Sequence, residues 1–575
     1  MERFPLQLKN YLLVILLFFV FLNLSAQDNF NIKVKVEVSD GMKSSFKKGG
    51  RFLFHLTSQT DKEPRSNSEV TIGYTPEDWD SKKPLFINTR DKNVLMNGAK
   101  KLAGHIGQKY FIQVVYKQNE SDGNENVEGN LYSNVDSFLL TNNANVALTL
   151  KSIILANSII NHPHVKSVTI TSKHLSDFFG TPRQIKASIL LPSSYFSNPT
   201  KNYPICYRAP GLNGRYTAVN NLVNRKEFAD WWFSADAPQV IYVFLDSQGP
   251  FGDTYQVDSE NNGPCGKALT EELVPAIENL VHYNPATKKR YVVGASTGGW
   301  VAMGLQIFYP DFFDGAWSYS PDPLEFEHYG LIDIYHDSTI FYNKFGYLQP
   351  GRRTTNGEPT LSMKDWINNE NTNSRTGDYR VSGGQFGAYN AVFGPKAADG
   401  LPSLMFDPKT GVIDHAIAKQ WEKYDLKKVV EKNWASLGPK LQGKIWIWTG
   451  DMDGLYSNVS TRYFKKFLDS TTHPVSDAKI SFTPMAGHTQ EWNDMNVLKM
   501  VKSFQYAIKG TERVKWSPIK GMNINIPYDE VADRIFYKDP LPQSTYVDIG
   551  NGIFVGSFKV YADSNIFLKI VTNGV

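Results

Sequence analysis

A serine flanked by small residues is the strongest chemical signal in the sequence. Ser296 lies in the run Gly294–Gly299, which has the spacing G-x-S-x-G. The apolar stretch Arg290–Val293 before it predicts a strand, and Gly299–Phe308 after it predicts a helix. In that context the small residues allow a tight strand-to-helix turn that exposes the serine hydroxyl. The pattern therefore predicts Ser296 as a nucleophile rather than an ordinary turn residue.

A serine nucleophile needs a general base, and His488 is the histidine in the right place. Behind a G-x-S-x-G turn the partners follow in the order acid, then histidine. His488 comes after the strand-like Lys479–Thr483 and before the last predicted helix, Trp492–Ile508. The other histidines after the serine are less suitable, because three lie in an irregular stretch and one follows a helix end: His328, His336, His415 and His473.

The acid of such a set should follow the predicted strand Lys444–Trp448. Two aspartates compete there, Asp451 and Asp453. We favour Asp453 because it has the spacing Gly-x-x-Asp from Gly450, and the other aspartate then serves as a turn residue. The carboxylate would accept the second N–H of the histidine and stabilise the imidazolium. Asp-x-Asp-Gly also begins some calcium loops, but the remaining ligand positions do not fit.

An oxyanion formed at the reacting carbonyl needs two fixed donors. The backbone N–H of Thr297, directly after the serine, is the first candidate. The loop after the predicted strand Tyr203–Tyr207 offers the second, and within Gly211–Gly214 we choose the N–H of Leu212. The alternative interpretation of this loop is a plain glycine turn.

The elements that must position these residues alternate between strands and helices from about residue 160 to 510. Such alternation predicts an α/β domain with a mostly parallel sheet covered on both faces. Residues 220–233 predict one of its helices. The alternation fails between about 320 and 440, which predicts a large insertion and a cap over the site. Asp322 and Glu325 at its start could line the site, but loop-capping roles are favoured.

The ends of the chain predict β structure. Short apolar runs separated by Gly- and Asn-rich turns over residues 28–150 predict an N-terminal β-sandwich. That module would serve packing or spacing, or alternatively substrate or glycan binding. Residues 515–575 predict a short β-rich tail. Cys206 and Cys265 could pair in an oxidising compartment, although their distance cannot be deduced from sequence.

Composition and the first residues narrow the class of protein. An apolar run, Tyr11–Leu22, follows Arg3 and Lys9 and precedes small residues, which predicts a signal peptide over residues 1–26, cut after Ala26. We therefore expect an exported protein, secreted or periplasmic, with no stable membrane span after cleavage. The 61 basic and 57 acidic residues are too balanced to indicate a nucleic-acid partner. Two cysteines exclude a disulfide scaffold and a cysteine-based zinc site.

Over residues 165–510 the sequence resembles the Putative esterase family of α/β-hydrolases, which includes esterase D-like, enterochelin esterase-like and feruloyl or acetyl xylan esterases. The matching stretches are Lys186–Pro192, Thr270–Pro275, Gly294–Gly299, Tyr309–Phe313 and Gly487–His488. The resemblance implies an α/β-hydrolase fold and serine ester hydrolysis with no cofactor or metal. A β-sandwich before it resembles the enterochelin esterase-like arrangement. Pro210-Gly211 departs from the His-Gly common in the family, which weakens the oxyanion assignment.

The leading functional hypothesis is a serine carboxylic-ester hydrolase acting on a small-molecule or carbohydrate ester, with an acyl or feruloyl group as the acid part of that ester. Export and the aromatic content of 13% suggest a carbohydrate ester. An acyltransferase or a peptidase could use the same three residues, because pocket shape alone distinguishes them. A non-catalytic binding protein that works through the β-sandwich is a further alternative. The oligomeric state does not follow from the sequence.

Overall fold

A computed structural model describes residues 30–284, 289–507, 544–548, 553–560 and 564–571 of the chain. The chain divides into two compact units. The first comprises residues 30–119, Glu125–Ala156 and Asn371–Gly377, and the second comprises Glu120–Asn124, Asn157–Glu370 and the chain from Asp378 onward. The predicted signal peptide lies outside the described residues. No helix among the described residues is both long enough and apolar enough to cross a membrane.

The first unit is built from one hydrogen-bonded network of nine strands. They are β1 (Ile32–Val38), β2 (Arg51–Thr57), β3 (Val70–Tyr74), β4 (Leu85–Asn88), β5 (Leu95–Asn97), β6 (Lys109–Lys117), β7 (Leu131–Ser133), β8 (Asp136–Leu139) and β9 (Ala144–Ile153). Their order is β4-β1-β9-β7-β6-β2-β3-β5, and β8 pairs with β6. Side chains from β1 and from β2, such as Val36 and Phe54, share one hydrophobic core. The arrangement of these strands as a β-sandwich stays a prediction.

The second unit has an eight-stranded central sheet. Its strands are β10 (Val165–Ser172), β11 (Arg183–Leu190), β12 (Ile205–Ala209), β13 (Ile241–Leu245), β18 (Arg290–Ala295), β19 (Gly315–Tyr319), β22 (Ile445–Gly450) and β23 (Lys479–Thr483). The order is β10-β11-β13-β12-β18-β19-β22-β23. Pairing is antiparallel for the first three strands and parallel from β13 to β23. This topology agrees with the α/β-hydrolase fold that the resemblance implies.

Short strands outside the central sheet complete the β structure. They are β14 (Gln248–Gly249), β15 (Gly252–Asp253), β16 (Asp258–Ser259), β17 (Gly263–Pro264), β20 (Pro350–Arg353), β21 (Pro359–Ser362), β24 (Ser544–Asp548), β25 (Ile553–Val560) and β26 (Ser564–Val571). The last three pair antiparallel in a three-stranded sheet, within the stretch predicted as a β-rich tail. The strand-like run Met522–Ile526 of that tail lies outside the described residues.

The α-helices lie mostly in the second unit. They are α1 (Ala99–Ala103), α2 (Lys173–Phe179), α3 (Ala218–Asn224), α4 (Lys226–Trp232), α5 (Cys265–Lys267), α6 (Val274–Leu280), α7 (Thr297–Phe308), α8 (Met363–Asn373), α9 (Gln385–Phe393), α10 (His415–Gln420), α11 (Leu426–Leu441), α12 (Ser457–Ser470) and α13 (Asp494–Ala507). A π-helical stretch, Ala268–Leu273, joins α5 to α6. The stretch 220–233 predicted as helical consists of the two helices α3 and α4, because Arg225 between them has an extended backbone.

Both faces of the central sheet are buried at its inner strands, such as β13 and β19, as their continuous apolar runs require. Alternate residues of one strand enter different cores, because successive side chains of a strand point to opposite faces. Tyr207 packs in the core that contains Trp300 of α7 and Phe464 of α12. Its neighbour Cys206 packs in the core that contains Trp232 of α4 and Val497 of α13. Helices cover the sheet on two faces. Because the strands pair in parallel, their carboxyl ends lie at one edge of the sheet.

Between β19 and β22 the chain leaves the regular alternation. It forms the β20–β21 hairpin and the helices α8 to α10 before it returns through α11. Val430 and Leu441 of α11 pack in the same core as Trp300. This helix therefore belongs to the layer that covers the sheet, although the sequence placed it in the predicted insertion. The extent of that insertion and its role as a cap stay predictions.

Candidate active site

Ser296 occupies a strained turn between β18 and α7. Its backbone has φ 58° and ψ −125°, a conformation that costs a residue with a side chain about 1–3 kcal/mol. Glycine on both sides makes the turn possible. A Cβ on Gly294 would come within 3.0 Å of the backbone of Gly298, and a Cβ on Gly298 would come equally close to the backbone oxygen of Ala209. The turn therefore projects the Ser296 hydroxyl beyond the end of the strand, as the spacing predicts.

His488 reaches Ser296 from the loop between β23 and α13. Its Nε2 lies 2.9 Å from Ser296 Oγ, and its Nδ1 lies 2.7 Å from Oδ2 of Asp453. With the ring proton on Nδ1, the histidine donates to Asp453 and accepts the hydroxyl proton of Ser296. The loop is held where it passes the end of β19, because Thr489 N–H donates to Ser320 Oγ at 3.1 Å. The three predicted residues thus form one continuous hydrogen-bonded line.

The electrostatics of this line favour the charged forms of His488 and Asp453. Burial would lower the pKa of His488, but the charge and hydrogen bond of Asp453, with the charge of Asp322, raise that pKa above its ordinary value. Burial would raise the pKa of Asp453, but the charge and hydrogen bond of His488 bring it below its ordinary value. Asp453 is fully buried and also accepts from Leu455 N–H at 2.8 Å. An imidazolium formed at His488 is therefore stabilised.

The structure separates the two aspartates that the sequence left open. Asp451 turns away from the histidine, and its Oδ1 accepts from the backbone N–H of Met485 at 2.7 Å. Burial raises the pKa of its carboxyl group. Only Asp453 of the two has a hydrogen bond to His488. Asp451 instead joins the loop after β22 to the loop after β23, so its role in this turn is structural.

Arg353 supports the loop that carries Asp453, the predicted acid, and nothing in its sequence context predicted this. Its Nε donates to the backbone oxygen of Asp453 at 2.9 Å, and its Nη2 donates to the backbone oxygen of Asp451 at 3.3 Å. A further bond joins Nη2 to Asn458 Oδ1 at 3.3 Å. Since Arg353 lies in β20, one hundred residues before the acid, the fold rather than the local sequence brings them together.

The predicted oxyanion donors lie on both sides of the serine. Thr297 is the first residue of α7, where the N–H groups of a helix have no partner within the helix. The loop after β12 approaches the same turn, since a Cβ on Gly211 would lie 3.4 Å from Ala295 O and 4.0 Å from Ser296 Cβ. Leu212 is half-buried in that loop. The roles of the Thr297 and Leu212 N–H groups stay predictions.

Asp322 has a different place from the loop cap favoured above. Its side chain is buried, and Oδ2 accepts three hydrogen bonds, from Tyr255 OH at 2.6 Å, Thr297 Oγ1 at 2.8 Å and Gln385 Nε2 at 3.0 Å. Its backbone N–H donates to Ser296 O at 3.3 Å. Burial raises the pKa of the carboxyl group. The loop-cap interpretation of Asp322 is therefore wrong, because the residue holds the turn that carries the serine.

Glu325 keeps the capping role that the sequence favoured. It is buried and accepts from the backbone N–H of Glu327 at 3.1 Å, and it contacts His328 Nδ1 at 2.7 Å. His336 is bound to Asp333 on the surface, and His473 is exposed. The structure therefore unites only His488, of the five histidines after the serine, with Ser296.

A pocket opens beside Asp322 within the second unit. Asp322 and Gln385 form part of its lining, and Leu455 to Ser457, which follow Asp453 in the chain, form another part. Most of the remaining lining is aromatic or aliphatic: Pro323, Tyr329, Leu331, Ile332, Pro350, Met363, Trp366, Phe386 and Tyr389, with Gly330 and Gly351. The lining does not include Ser296 or His488, and Asp322, which bonds to Thr297, is its link to the serine turn.

The sequence left a disulfide bond between the two cysteines open, and the structure does not contain it. Cys206 and Cys265 are both buried and both free, so they do not pair with each other. Burial raises the pKa of each thiol. Across the described ranges no group of three or more His, Cys, Asp or Glu residues is arranged to hold a metal ion.

Comparison with known proteins gives one family. The model of the family described as Putative esterase matches residues 180–474 of the 575. No curated protein matches the sequence significantly.

Several solved structures are similar to the chain. A ferulic acid esterase is 16% identical, covers 60% of this chain and 99% of its own, and has a TM-score of 0.38. The S-formylglutathione hydrolase from Agrobacterium tumefaciens is 11% identical, with 60% and 96% covered and a TM-score of 0.32. A CE1 ferulic acid esterase from Anaeromyces mucronatus is 13% identical, with 60% and 90% covered and a TM-score of 0.29.

Proposed function

Because the chain belongs to the Putative esterase family and is an esterase of the α/β-hydrolase class, we propose that it is an exported serine carboxylic-ester hydrolase with a Ser296–His488–Asp453 triad. The observation that carries this proposal is the hydrogen-bonded line from Ser296 Oγ through both ring nitrogens of His488 to Asp453, with distances of 2.9 Å and 2.7 Å. No other described histidine contacts the serine at the nucleophile turn.

Acylation begins when Ser296 Oγ attacks the carbonyl carbon of the ester. The hydroxyl proton passes to Nε2 of His488, and the carbonyl oxygen becomes an oxyanion. The tetrahedral intermediate collapses when the C–O bond to the alcohol breaks. The alcohol oxygen takes the proton from Nε2 as it leaves, and an acyl group remains on Ser296. Asp453 stays ionised and stabilises the imidazolium that exists between the two proton transfers.

Deacylation repeats the same steps with water as the nucleophile. His488 accepts a proton from water, and the water oxygen attacks the acyl carbon. The second tetrahedral intermediate releases the carboxylic acid, and Ser296 recovers its proton from His488. The backbone N–H groups of Thr297 and Leu212 are the proposed donors to the oxyanion in both halves of the reaction. In this mechanism the chain's own residues stabilise both the imidazolium and the oxyanion.

The finer parts of the proposal concern location, domains and substrate. We infer a cleaved signal peptide over residues 1–26 and a secreted or periplasmic protein, on the apolar run Tyr11–Leu22. The catalytic domain would extend over residues 160–510, between a β-sandwich at 28–150 and a β-rich segment at 515–575. Acyl or feruloyl esters of carbohydrates are the proposed substrates, supported by export and by the aromatic content of 13%.

The test is hydrolysis of acetate, butyrate and ferulate aryl esters by the mature protein and by Ser296→Ala. Loss of a triad nucleophile should lower kcat by about a millionfold, which takes the activity to background. Ser436→Ala is the matched control, since this exposed hydroxyl only donates to the backbone oxygen of Asn433, and it should retain full activity. Equal activity of wild type and Ser296→Ala would contradict the proposal.

The same assay separates hydrolysis from acyl transfer. If the protein were a transferase, a sugar added as acceptor would compete with water for the acyl group through its hydroxyl groups. The acylated sugar would then accumulate in place of the free acid. We expect the free acid to remain the main product at every acceptor concentration.

A further inference from the structure

One arginine beside the candidate active site has no ion pair. Arg352 lies in β20, and its side chain is exposed. Its guanidinium lies 4.5 Å from the ring centroid of Trp366, and within the described part of the chain no carboxylate and no hydrogen-bond acceptor contacts it. Its neighbour Arg353, by contrast, bonds to the backbone oxygens of Asp451 and Asp453. The guanidinium of Arg352, with its five N–H donors, is therefore available to a ligand.

The β20–β21 hairpin places Arg352 next to the loops that carry the proposed triad. The backbone N–H of the following residue, Arg353, donates at 3.0 Å to the backbone oxygen of Gly454, which lies in the loop after β22. In the turn of the hairpin, Thr355 lies against Gly487 in the loop after β23, since a Cβ on that glycine would come 3.0 Å from Thr355 Cγ2. Arg352 thus belongs to an element that contacts both loops.

The charge of Arg352 acts on the predicted general base. Burial and the Arg352 charge both act to lower the pKa of His488, against the charges of Asp453 and Asp322, which raise it. Salt largely screens charges that lie more than about 10 Å apart, so an effect at His488 indicates a shorter separation than that. A substrate held at Ser296 can therefore carry a second group that reaches the guanidinium.

The surroundings of Arg352 hold the guanidinium without neutralising it. A guanidinium over the ring of Trp366 is attracted by the ring and not by an acceptor atom, which leaves its N–H groups for other partners. Burial lowers the pKa of the guanidinium, and the charge of Glu370 opposes this effect. The carboxylate of Glu370 accepts instead from the backbone N–H groups of Phe386 and Gly387, each at 2.9 Å. The positive charge of Arg352 therefore has no counter-ion in direct contact among the described residues.

We propose that Arg352 binds a carboxylate carried by the ester substrate and so selects anionic esters over neutral ones. A guanidinium donates two parallel hydrogen bonds to a carboxylate and balances its single negative charge. This inference rests on the proposed ester hydrolysis and adds the charge of the substrate to it. The carboxylate belongs either to the acid side, as in a half-ester of a dicarboxylic acid, or to the alcohol side, as in an ester of a hydroxy acid or a sugar acid.

The test uses two pairs of esters in which a carboxamide of nearly the same shape replaces the carboxylate. One pair, ethyl hydrogen adipate and ethyl adipamate, carries the group on the acid side. The other pair, the butyrates of 4-hydroxybutanoic acid and 4-hydroxybutanamide, carries it on the alcohol side. Acid release at constant pH and low ionic strength measures kcat/KM. In one pair we expect kcat/KM of the carboxylate ester to exceed that of the amide ester about tenfold or more, and that pair identifies the side. A ratio of one or less in both pairs would overturn the assignment.

Two arginine variants show whether the preference comes from this guanidinium. Arg352→Met should bring the carboxylate-to-amide ratio of kcat/KM close to one, because methionine can still pack against Trp366 but has neither the charge nor the donors. Its hydrolysis of the amide ester reports that the variant is folded. Arg225→Met is the matched control, since Arg225 is also exposed and lies over an aromatic ring, that of Phe228, at 5.8 Å. It should keep the wild-type ratio. A preference that persists in Arg352→Met would contradict the proposal.

A binding measurement keeps this inference separate from the proposed hydrolysis. Calorimetric titration of Ser296→Ala protein with the four esters needs no catalysis. The carboxylate member of one pair should bind about tenfold more tightly than its amide, and added salt should reduce the difference. The further substitution Arg352→Met should remove it. Equal affinities within both pairs would overturn the role of Arg352. Selective binding without Ser296-dependent hydrolysis would overturn only the proposed reaction.

Discussion

At the scale of single residues, Asp451 and Asp453 differ in the hydrogen-bond partners of their carboxylates. They lie two positions apart in one loop, and both accept hydrogen bonds from the loop that follows β23. Asp453 bonds to the side chain of His488, and Asp451 bonds to the backbone of Met485. Their carboxylates should therefore contribute very differently to the rate, although their sequence contexts are nearly the same.

Asp453→Asn should lower kcat by about ten-thousandfold, because an amide no longer holds the histidine in the reactive tautomer or stabilises the imidazolium. Asp451→Asn, the matched variant, should keep kcat within about tenfold, since an amide oxygen can still accept from Met485 N–H. Steady-state kinetics on one aryl ester measure both. A larger loss from Asp451→Asn than from Asp453→Asn would reverse the assignment of the acid.

The pH profile follows from the same contacts. His488 accepts a proton only when neutral, so kcat/KM should rise with pH through the pKa of His488, above the ordinary value of 6.5. Removal of the Asp453 charge takes away the main contribution that raises this pKa, so the rise should move to lower pH in Asp453→Asn.

At the scale of elements, the junction of β12, β18 and α7 depends on close backbone contact. A Cβ on Gly298 would come within 3.0 Å of the carbonyl oxygens of both Ala209 and Pro210 at the end of β12. These are backbone atoms that cannot move aside alone. The end of β12 also begins the loop with the proposed oxyanion donor. Packing at one glycine therefore sets the spacing between the two sides of the proposed oxyanion site.

Gly298→Ala should lower kcat by about a hundredfold, because α7 and the oxyanion loop must separate by a fraction of an ångström or more. The overpacking should also lower the free energy of unfolding by about 1–3 kcal/mol. Gly41→Ala is the control, since a Cβ there would have no neighbour within 4 Å. Kinetics and thermal unfolding of the two variants decide. Full activity of Gly298→Ala would show that the contact is not needed.

At the scale of the whole molecule, buried carboxyl groups link stability to pH. Burial raises the pKa of Asp253 to about 7, against hydrogen bonds from Ser247 Oγ and Tyr255 N–H that favour the ionised form. An aspartate in the unfolded chain has a pKa of about 3.9. Between these two values the folded chain keeps a proton that the unfolded chain has lost. The free energy of unfolding therefore falls as pH rises from about 4 through about 7.

Asp253→Asn should remove this loss, because an amide does not ionise and its oxygen can accept from Tyr255 N–H. The variant should gain stability relative to wild type by up to about 4 kcal/mol at pH 8 and little near pH 4. Burial raises the pKa of Asp425 to about 6 as well, so a smaller dependence of the same sign should remain. Denaturant unfolding followed by tryptophan fluorescence measures both. A pH-independent difference between the two proteins would rule out Asp253 as the source.

Local signals in the sequence were enough to predict the strand-to-helix turn at Ser296 and the partners that the structure joins to it by hydrogen bonds. Ser296 was a candidate because a strand, small residues and a helix follow one another within a few positions, and local sterics demand glycine there. His488 was a candidate because it lies between the last strand of the sheet and the helix that follows it. The alternation of strands and helices predicted the central parallel sheet for the same reason, since apolar runs must be buried on both faces.

The tertiary structure alone decided which residues complete the site. The bond between Thr297 and Asp322 spans 25 residues, and that between Arg353 and the acid loop spans 100. Asp451 and Asp453 lie two positions apart, but their side chains bond to different partners and differ in burial. The pocket of Tyr329, Trp366 and Phe386 likewise gathers residues from separate parts of the chain. The sequence determines the chemistry of a site where residues that are close in the chain are also close in space. The tertiary structure decides it where contacts between distant segments bury a charged side chain or leave a buried polar atom without a hydrogen bond.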